Sequence, residues 1–382
     1  MLYFDNAATS YPKPVTVKKA VEESFYSFGA NPGRSGHKMG IETSRKVFDC
    51  RKKAADLFGL SECENLVFTK NCTEALNIVL MSIGAEGGHF IISDLEHNSV
   101  LRPLFELEKR GITNFSIAEV FENEPEKTVE SFRKLIKNDT KMIVATGSSN
   151  VFGIKLPVAE LAKLCREYGI LFLVDMAQTA GTMKMDMEKT GVDFVCAPGH
   201  KGLLGPMGTG ILAARKPELL KPHLFGGTGT YSLFPEQPEG LPEMLESGTL
   251  NVPGICGLYA GICRVSEEGE KNIGKREAEM AKLLYSELFS MKEIKLFTSF
   301  PEEATHSPVI SFVIGDLSGE ETSALLSEKG VAARGGFHCA ALAHRKMGTE
   351  NRGTCRLSIG YMNTPEQVLK LIGIIHGLSK KY

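Results

Sequence analysis

LFLVDMAQTAG (residues 171–181) and, a short way downstream, FVCAPGHKGLLGPMGTG (194–210) decide the reading of this chain. In each, a short apolar run stops at a polar or glycine-rich turn, LFLV at Asp175 and FVCA just before Pro198-Gly199-His200-Lys201. Such uninterrupted runs fit strands buried on both faces of a parallel sheet, because a half-exposed strand would alternate. Working outward, LVFT (66–69), FIIS (90–93) and MIVAT (142–146) read the same way. The stretches near 72–83, 97–110, 126–137 and 158–168 read as helices between them. Strands alternating with helices predict a three-layer α/β domain with a mostly parallel sheet and ligands at the carboxyl ends of its strands.

After about Pro253 the pattern changes to a long charged helix (254–290), strand-like VISFVIG (309–315), a helix near 320–329 and a closing helix from about 365. This reads as a smaller α+β domain. The expected division is a large domain over 15–255 and a small one built from 1–14 plus 256–382, the latter carrying the candidate reactive cysteine. The Gly/Pro-rich stretch Gly226–Pro242 reads as a functional loop, and no internal repeat is seen.

With 42% hydrophobic and 24% charged residues, the 382-residue chain has globular composition. A formal net charge of -2 gives no electrostatic reason to expect nucleic acid or a membrane surface as partner, so a small molecule is the default. MLYFDNAATS lacks a basic region followed by an apolar one, and no apolar run is long enough to span a bilayer, which favours the cytoplasm. Nine cysteines without C-x-x-C pairs argue against a metal site and a stapled secreted fold; most should be buried thiols.

Asp175 at a strand end and Lys201 among glycines match what pyridoxal-phosphate (PLP) chemistry needs. An anion beside the ring nitrogen keeps that nitrogen protonated, and a lysine holds the aldehyde as an imine. A turn aspartate and a surface lysine are the plain alternatives for either residue alone. In TKNCTEALN (69–77), Asn71 reads as an N-cap with Glu74 as its partner, leaving the amides of Cys72 and Thr73 to face an anion; an ordinary capped helix carries the same signature. His97 at the next strand end could stack on a pyridine ring or sit at the surface.

The ordered set FDNAAT (4–9), NPGRSGH (31–37), NCTEALN (71–77), EHNS (96–99), SNVFG (149–153), VDMAQ (174–178), GHKG (199–202), ESGTLN (246–251) and RGGFHCA (334–340) resembles the class V PLP enzymes. Within them it is most similar to the cysteine desulfurases, nearest the group II desulfurase and selenocysteine lyase branch. The resemblance implies the PLP-dependent aminotransferase (type I) fold, a homodimer and, as a partner, a sulfur-acceptor protein. It implies that Lys201 carries the cofactor, Asp175 pairs with the ring nitrogen, Gln178 contacts the ring hydroxyl and His97 stacks on the ring. Thr73, the Cys72 amide and His200 would hold the phosphate, with Thr249 reaching the phosphate of the other subunit. Asn150 and Arg356 would bind the substrate carboxylate, and Arg334 and His338 would flank the thiol of Cys339.

Two departures stand out. Pro198 occupies the place of a family serine, removing a phosphate hydroxyl for which Gly227, Thr228 and Gly229 are the candidate replacements. The segment from Cys339 to Arg356 is longer and more charged than the usual spacing, which bears on the active-site lid. Cys339 is the expected sulfur acceptor: Gly335 and Gly336 suggest a turn, and nearby cations favour the thiolate, whereas Cys355 reads as a packed strand residue. The implied reaction converts L-cysteine to alanine and leaves a persulfide on Cys339. Rival readings are a selenocysteine lyase acting on L-selenocysteine, a cysteine sulfinate desulfinase and an aminotransferase, none needing Cys339, or a non-catalytic scaffold.

Overall fold

Leu171 to Asp175 form a strand whose alternate side chains feed two different cores, Phe172 and Val174 on one face and Leu173 on the other. Phe194 to Pro198 repeat the arrangement, with Val195 and Ala197 facing the first core and Phe194 and Cys196 the second. Apolar side chains on both faces are what commit these runs to the middle of a sheet.

The computed structural model describes residues 1–33 and 36–381, so Arg34 and Ser35 of NPGRSGH lie outside the described residues. The chain opens with β1 (Leu2–Tyr3), α1 (Val15–Glu23) and α2 (Lys38–Phe58). It then alternates β2 (Leu66–Thr69), α3 (Cys72–Gly84), β3 (Gly88–Ser93), α4 (Asn98–Lys109), β4 (Thr113–Ala118), α5 (Pro125–Lys134), β5 (Thr140–Thr146), α6 (Val158–Tyr168), β6 (Leu171–Asp175), α7 (Met187–Thr190), β7 (Phe194–Pro198) and β8 (Gly210–Ala214). The rest comprises α8 (Val252–Glu268), α9 (Glu270–Phe289), β9 (Ile294–Leu296), β10 (Val309–Ile314), α10 (Gly319–Glu328), β11 (Val331–Ala332), β12 (Arg334–Gly336), α11 (Ala341–Lys346), β13 (Thr354–Ser358) and α12 (Pro365–Ser379).

The large sheet has the order β2-β8-β7-β6-β5-β3-β4. Strands β7, β6, β5, β3 and β4 are parallel, and β8 runs antiparallel to both its neighbours. Two reversals bring β2 back to the direction of β7. The carboxyl ends of β2, β3, β5, β6 and β7, and therefore the starts of α3 and α4, share one edge. The expected mostly parallel α/β sheet is present; β4 and β8, and helices α1 and α2, were not anticipated.

The helix expected over 254–290 is broken at Gly269, whose φ of 85° ends α8 and starts α9. Glycine reaches this backbone region without steric penalty. Helix α8 runs through the expected domain boundary at 255 and packs on α1 and α2, its Ile255, Leu258 and Ile262 joining the large core. Beyond it, β12-β13-β10-β9 form an antiparallel sheet, and β1 pairs in parallel with β11. Phe4, Phe312, Leu357 and Leu371 share that region's core, which ties the chain's first residues to its last elements.

The segment between β8 and α8 is anchored by a buried ion pair. Arg51 of α2 makes a two-pronged contact with Glu246, 2.8 Å on each prong, and Glu246 also accepts from the Phe68 amide at 2.7 Å. Glu246→Ala strands a buried guanidinium, with an expected loss of about 3–5 kcal/mol, read as a lower urea midpoint. An Arg51→Met, Glu246→Leu double variant should recover most of it, since no charge is left unpaired.

Candidate active site

Lys201 follows the end of β7, on a loop pressed against the turn after β6. A Cβ on Gly202 would lie 2.2 Å from the Ala180 carbonyl oxygen, so glycine is required there by backbone meeting backbone. That contact brings Lys201 beside Asp175. One cavity at the sheet's carboxyl edge is lined by Lys201, Asp175, Gln178, His97, His200, Asn150, Cys72 and Thr73, with Ser99, Thr146 and Pro198. Residues from five strand ends meet there.

Lys201 has its pKa lowered to about 8, chiefly by burial and secondarily by the Arg356 charge. Asp175 is buried, and its Oδ1 accepts the Ala177 amide at 2.8 Å. Gln178 donates from Nε2 to the Ala7 carbonyl at 3.1 Å. His97 is the N-cap of α4, its Nδ1 accepting the Ser99 amide at 3.1 Å, which leaves the neutral ring's proton on Nε2. Asn71 caps α3 as expected, accepting the Glu74 amide at 2.9 Å, while the Glu74 carboxylate turns to the Lys70 amide instead of closing a capping box. Among the described residues the amides of Cys72 and Thr73 have no acceptor, which leaves them available to an anion at the positive end of α3.

His200 lies opposite. Its backbone carbonyl is held by Ser10, Thr9 and Lys13, fixing the residue, while its Nδ1 is buried without a hydrogen-bond partner among the described residues. Burial, helped by Lys201 and Lys13, lowers its pKa to about 4, so the ring is neutral near neutral pH. A neutral imidazole with one orphaned nitrogen, a free helix N-terminus and the Thr73 hydroxyl make a phosphate-sized set of donors. Together with the Lys201 amine and the Asp175 carboxylate, the residues present fit PLP.

Within one protomer, 227–229 do not line the Lys201 cavity. Gly227, Thr228 and Gly229 line a separate surface cleft with Gly33, Arg51 and the exposed Thr249, away from the Lys201 cavity. Ser99 adds a hydroxyl to the Lys201 cavity: its Oγ lies 2.8 Å from Thr73 Oγ1 and 2.9 Å from His97 Nδ1.

Arg356, on β13, is fully buried. Its Nη1 donates to the Asn150 carbonyl at 2.9 Å and its Nη2 to Asp5 at 2.7 Å, while Nε has no partner among the described residues. The Asp5 pairing spans nearly the whole chain, and nothing local in the sequence signals it. Arg334 stands directly across the β12–β13 ladder from Arg356 and is exposed.

Gly335 and Gly336, expected in a turn, are strand residues of β12. Gly335 is there because a Cβ would strike the start of α10, 2.5 Å from the Gly319 carbonyl oxygen. The turn comes next: His338 and Cys339 both have positive φ, 49° and 56°. Two successive non-glycine residues in the left-handed region cost about 1–2 kcal/mol each and persist only where neighbours over-determine them. Three hydrogen bonds do so: Asn150 Nδ2 to the His338 carbonyl (2.7 Å), His338 Nε2 to the Thr354 carbonyl (3.0 Å) and the Asn98 amide to the Cys339 carbonyl (2.8 Å). Cys339 is thereby exposed on a loop tied to the residue next to His97. His338 is buried, and desolvation with the Arg356 charge lowers its pKa to about 3, so it is not one of the cations expected beside the thiol. The charged 339–356 segment is no loose lid: α11 buries Leu342, Ala343 and His344, and Lys346 pairs with Asp94 at 2.7 Å.

The model of the class-V aminotransferase family matches residues 2–371. The chain is 33% identical to a probable cysteine desulfurase of Methanothermobacter thermautotrophicus, over 97% of this chain and 93% of the relative. It is 30% identical to a cysteine desulfurase of Haloferax volcanii, over 98% and 88%. Among solved structures, the apo cysteine desulfurase of Thermococcus onnurineus NA1 superposes with a TM-score of 0.92 at 31% identity, covering 100% of this chain and 95% of that one. The cysteine desulfurase CsdA of Escherichia coli gives 0.87 at 25%, covering 99% and 94%. With the fold, the cavity at the strand ends and nearly the full length in agreement, the chain belongs to the class-V aminotransferase family, within its cysteine desulfurase branch.

Proposed function

We propose that this protein is a PLP-dependent cysteine desulfurase that takes sulfur from L-cysteine, releases L-alanine and carries the sulfur as a persulfide on Cys339. The observation that carries the reading is one cavity joining Lys201, Asp175, His97 and His200, with the strained, exposed Cys339 tied to Asn98 beside it. Bound there, PLP supplies an electron sink for the amino acid's α-carbon. Lys201 holds the cofactor and, with its pKa near 8, moves the proton at the α-carbon. With PLP bound, Asp175 would serve the ring nitrogen, Gln178 the ring hydroxyl and His97 the ring face, while Thr73, the Cys72 amide and His200 would hold the phosphate. Arg356, with three of its five N–H groups lacking a partner among the described residues, receives the substrate carboxylate together with Asn150. The Cys339 thiolate attacks the substrate sulfur beside Arg334 and His338. An S–S bond forms as the C–S bond breaks, and the electron pair left on carbon takes a proton to give alanine.

The holoenzyme, given L-cysteine and a thiol reductant, should yield alanine and sulfide in equal amounts. Pyruvate with ammonia, or an oxo acid without sulfide, would sink this reading.

The division into a large domain over 15–255 and a small one from 1–14 plus 256–382 is retained, with α8 as the element they share. The protein acts as a homodimer in the cytoplasm. Among the described residues no helix is long and apolar enough to cross a membrane. Exposed Phe25, Tyr26, Met39, Ile41 and Phe48 in one segment and Leu224, Phe225, Tyr231, Leu233 and Phe234 in another offer apolar surface for a second copy. Both segments border the cleft holding Thr249, which would reach the partner's phosphate site. Sedimentation should give a dimer, and Phe225→Asp with Leu233→Asp a monomer with activity down about tenfold or more. A fully active monomer would contradict the shared site.

A further inference from the structure

Cys72 enters the reading above only through its backbone amide, yet its side chain has a separate contact. As first residue of α3 it is buried, and its Sγ donates to Asp175 Oδ1 at 3.5 Å. The same oxygen takes the Ala177 amide at 2.8 Å, while Oδ2 has no hydrogen-bond partner among the described residues. Both side chains line the Lys201 cavity. Burial first, and the Asp175 charge second, push the thiol's pKa well above its ordinary value, so the sulfur keeps the proton it donates.

We propose that Cys72 is a positioning residue: its thiol, with the Ala177 amide, saturates Oδ1 of Asp175 and so turns Oδ2 toward the ring nitrogen of the cofactor. This rests on the PLP reading. It makes one residue serve both ends of the cofactor, the amide toward the phosphate and the thiol toward the carboxylate that governs the ring nitrogen. A carboxylate left free to rotate would hold the ring's proton less firmly, and that proton would then repel the one on the Lys201 nitrogen less.

The alternative is plain packing, since Cys72 also touches the core that holds Ala75, Leu76 and Cys196. Three variants separate the two. Cys72→Ala and Cys72→Val lack the donor, Val keeping the bulk; Cys72→Ser keeps the donor and loses apolar volume. With the purified dimer, PLP dissociation constants are measured together with the pH midpoint of the visible band of the lysine-bound cofactor. Ala and Val should weaken PLP binding about 3- to 10-fold and move the midpoint up by about half a unit. Ser should stay within about twofold of the parent on both, because its hydroxyl replaces the donor. Val behaving as the parent while Ser behaves as Ala would assign the residue to packing and overturn the proposal, as would three variants indistinguishable from the parent. A parent protein that binds no PLP would instead overturn the functional reading on which this one stands.

Discussion

Lys201→Ala will lack the visible band of the lysine-bound cofactor, will leave no lysine adduct to be trapped by borohydride, and will lose desulfurase activity by about 10³-fold or more. Lys201 is the lysine lining the cavity, so its loss removes both the covalent anchor and the amine at the α-carbon. The pKa near 8 gives the magnitude its basis. At pH 7.5 about a quarter of such amines are neutral, against about one in a thousand for a solvated lysine. Burial disfavours the charged form, so capture of PLP by the parent apoprotein should quicken as pH rises through about 8 and then level off. PLP should still bind Lys201→Ala non-covalently, because Thr73, His200 and the α3 N-terminus are untouched. An adduct persisting on another lysine would move the site elsewhere, and mass spectrometry of the reduced protein would locate it.

The features that could be read in the sequence are local in kind. LFLVD and FVCA declare themselves as buried strands because every residue is apolar, and the Asn71 cap because its donors and acceptors lie within a turn of one another. Helix α2 is legible in the same local way: Val47, Cys50, Ala54 and Phe58 repeat at helical spacing, and Gly59 ends it in the left-handed conformation. Strand β4 gave little signal, since as an edge strand it buries only Thr113 and Ala118. The pairing of Asp5 with Arg356 could not be read at all, because it is made when the segment after β1 comes alongside β13 in the folded chain. The same holds for the neutrality of His338. Its place beside Cys339 in RGGFHC suggests a cation, but burial and the Arg356 charge, both products of the fold, take the proton away.

That neutrality sharpens what Cys339→Ala should do. Arg334 and Arg356 supply the positive charge of this region, and His338 contributes geometry, its Nε2 and its carbonyl pinning a backbone that Cys339 shares. Sulfur transfer needs an accessible thiol, and the two cysteines of this part of the chain differ sharply. Cys339 is exposed on a strained turn, whereas Cys355 is buried in β13 with its pKa pushed far up by desolvation. Cys339→Ala should bind PLP as tightly as the parent and show the same spectral change on adding L-cysteine, because its side chain lines no wall of the cofactor cavity. Sulfide release should fall by about 10³-fold, the scale on which removal of an attacking nucleophile is felt, and no persulfide should be found on the protein. Cys355→Ala, a small-to-smaller change inside a sheet, should cost stability and leave turnover within about twofold. L-selenocysteine provides the internal control: its weaker carbon–selenium bond asks less of an attacking thiolate, so activity of Cys339→Ala on that substrate is compatible with the assignment. Normal turnover of L-cysteine by Cys339→Ala, or loss of activity in Cys355→Ala alone, is not.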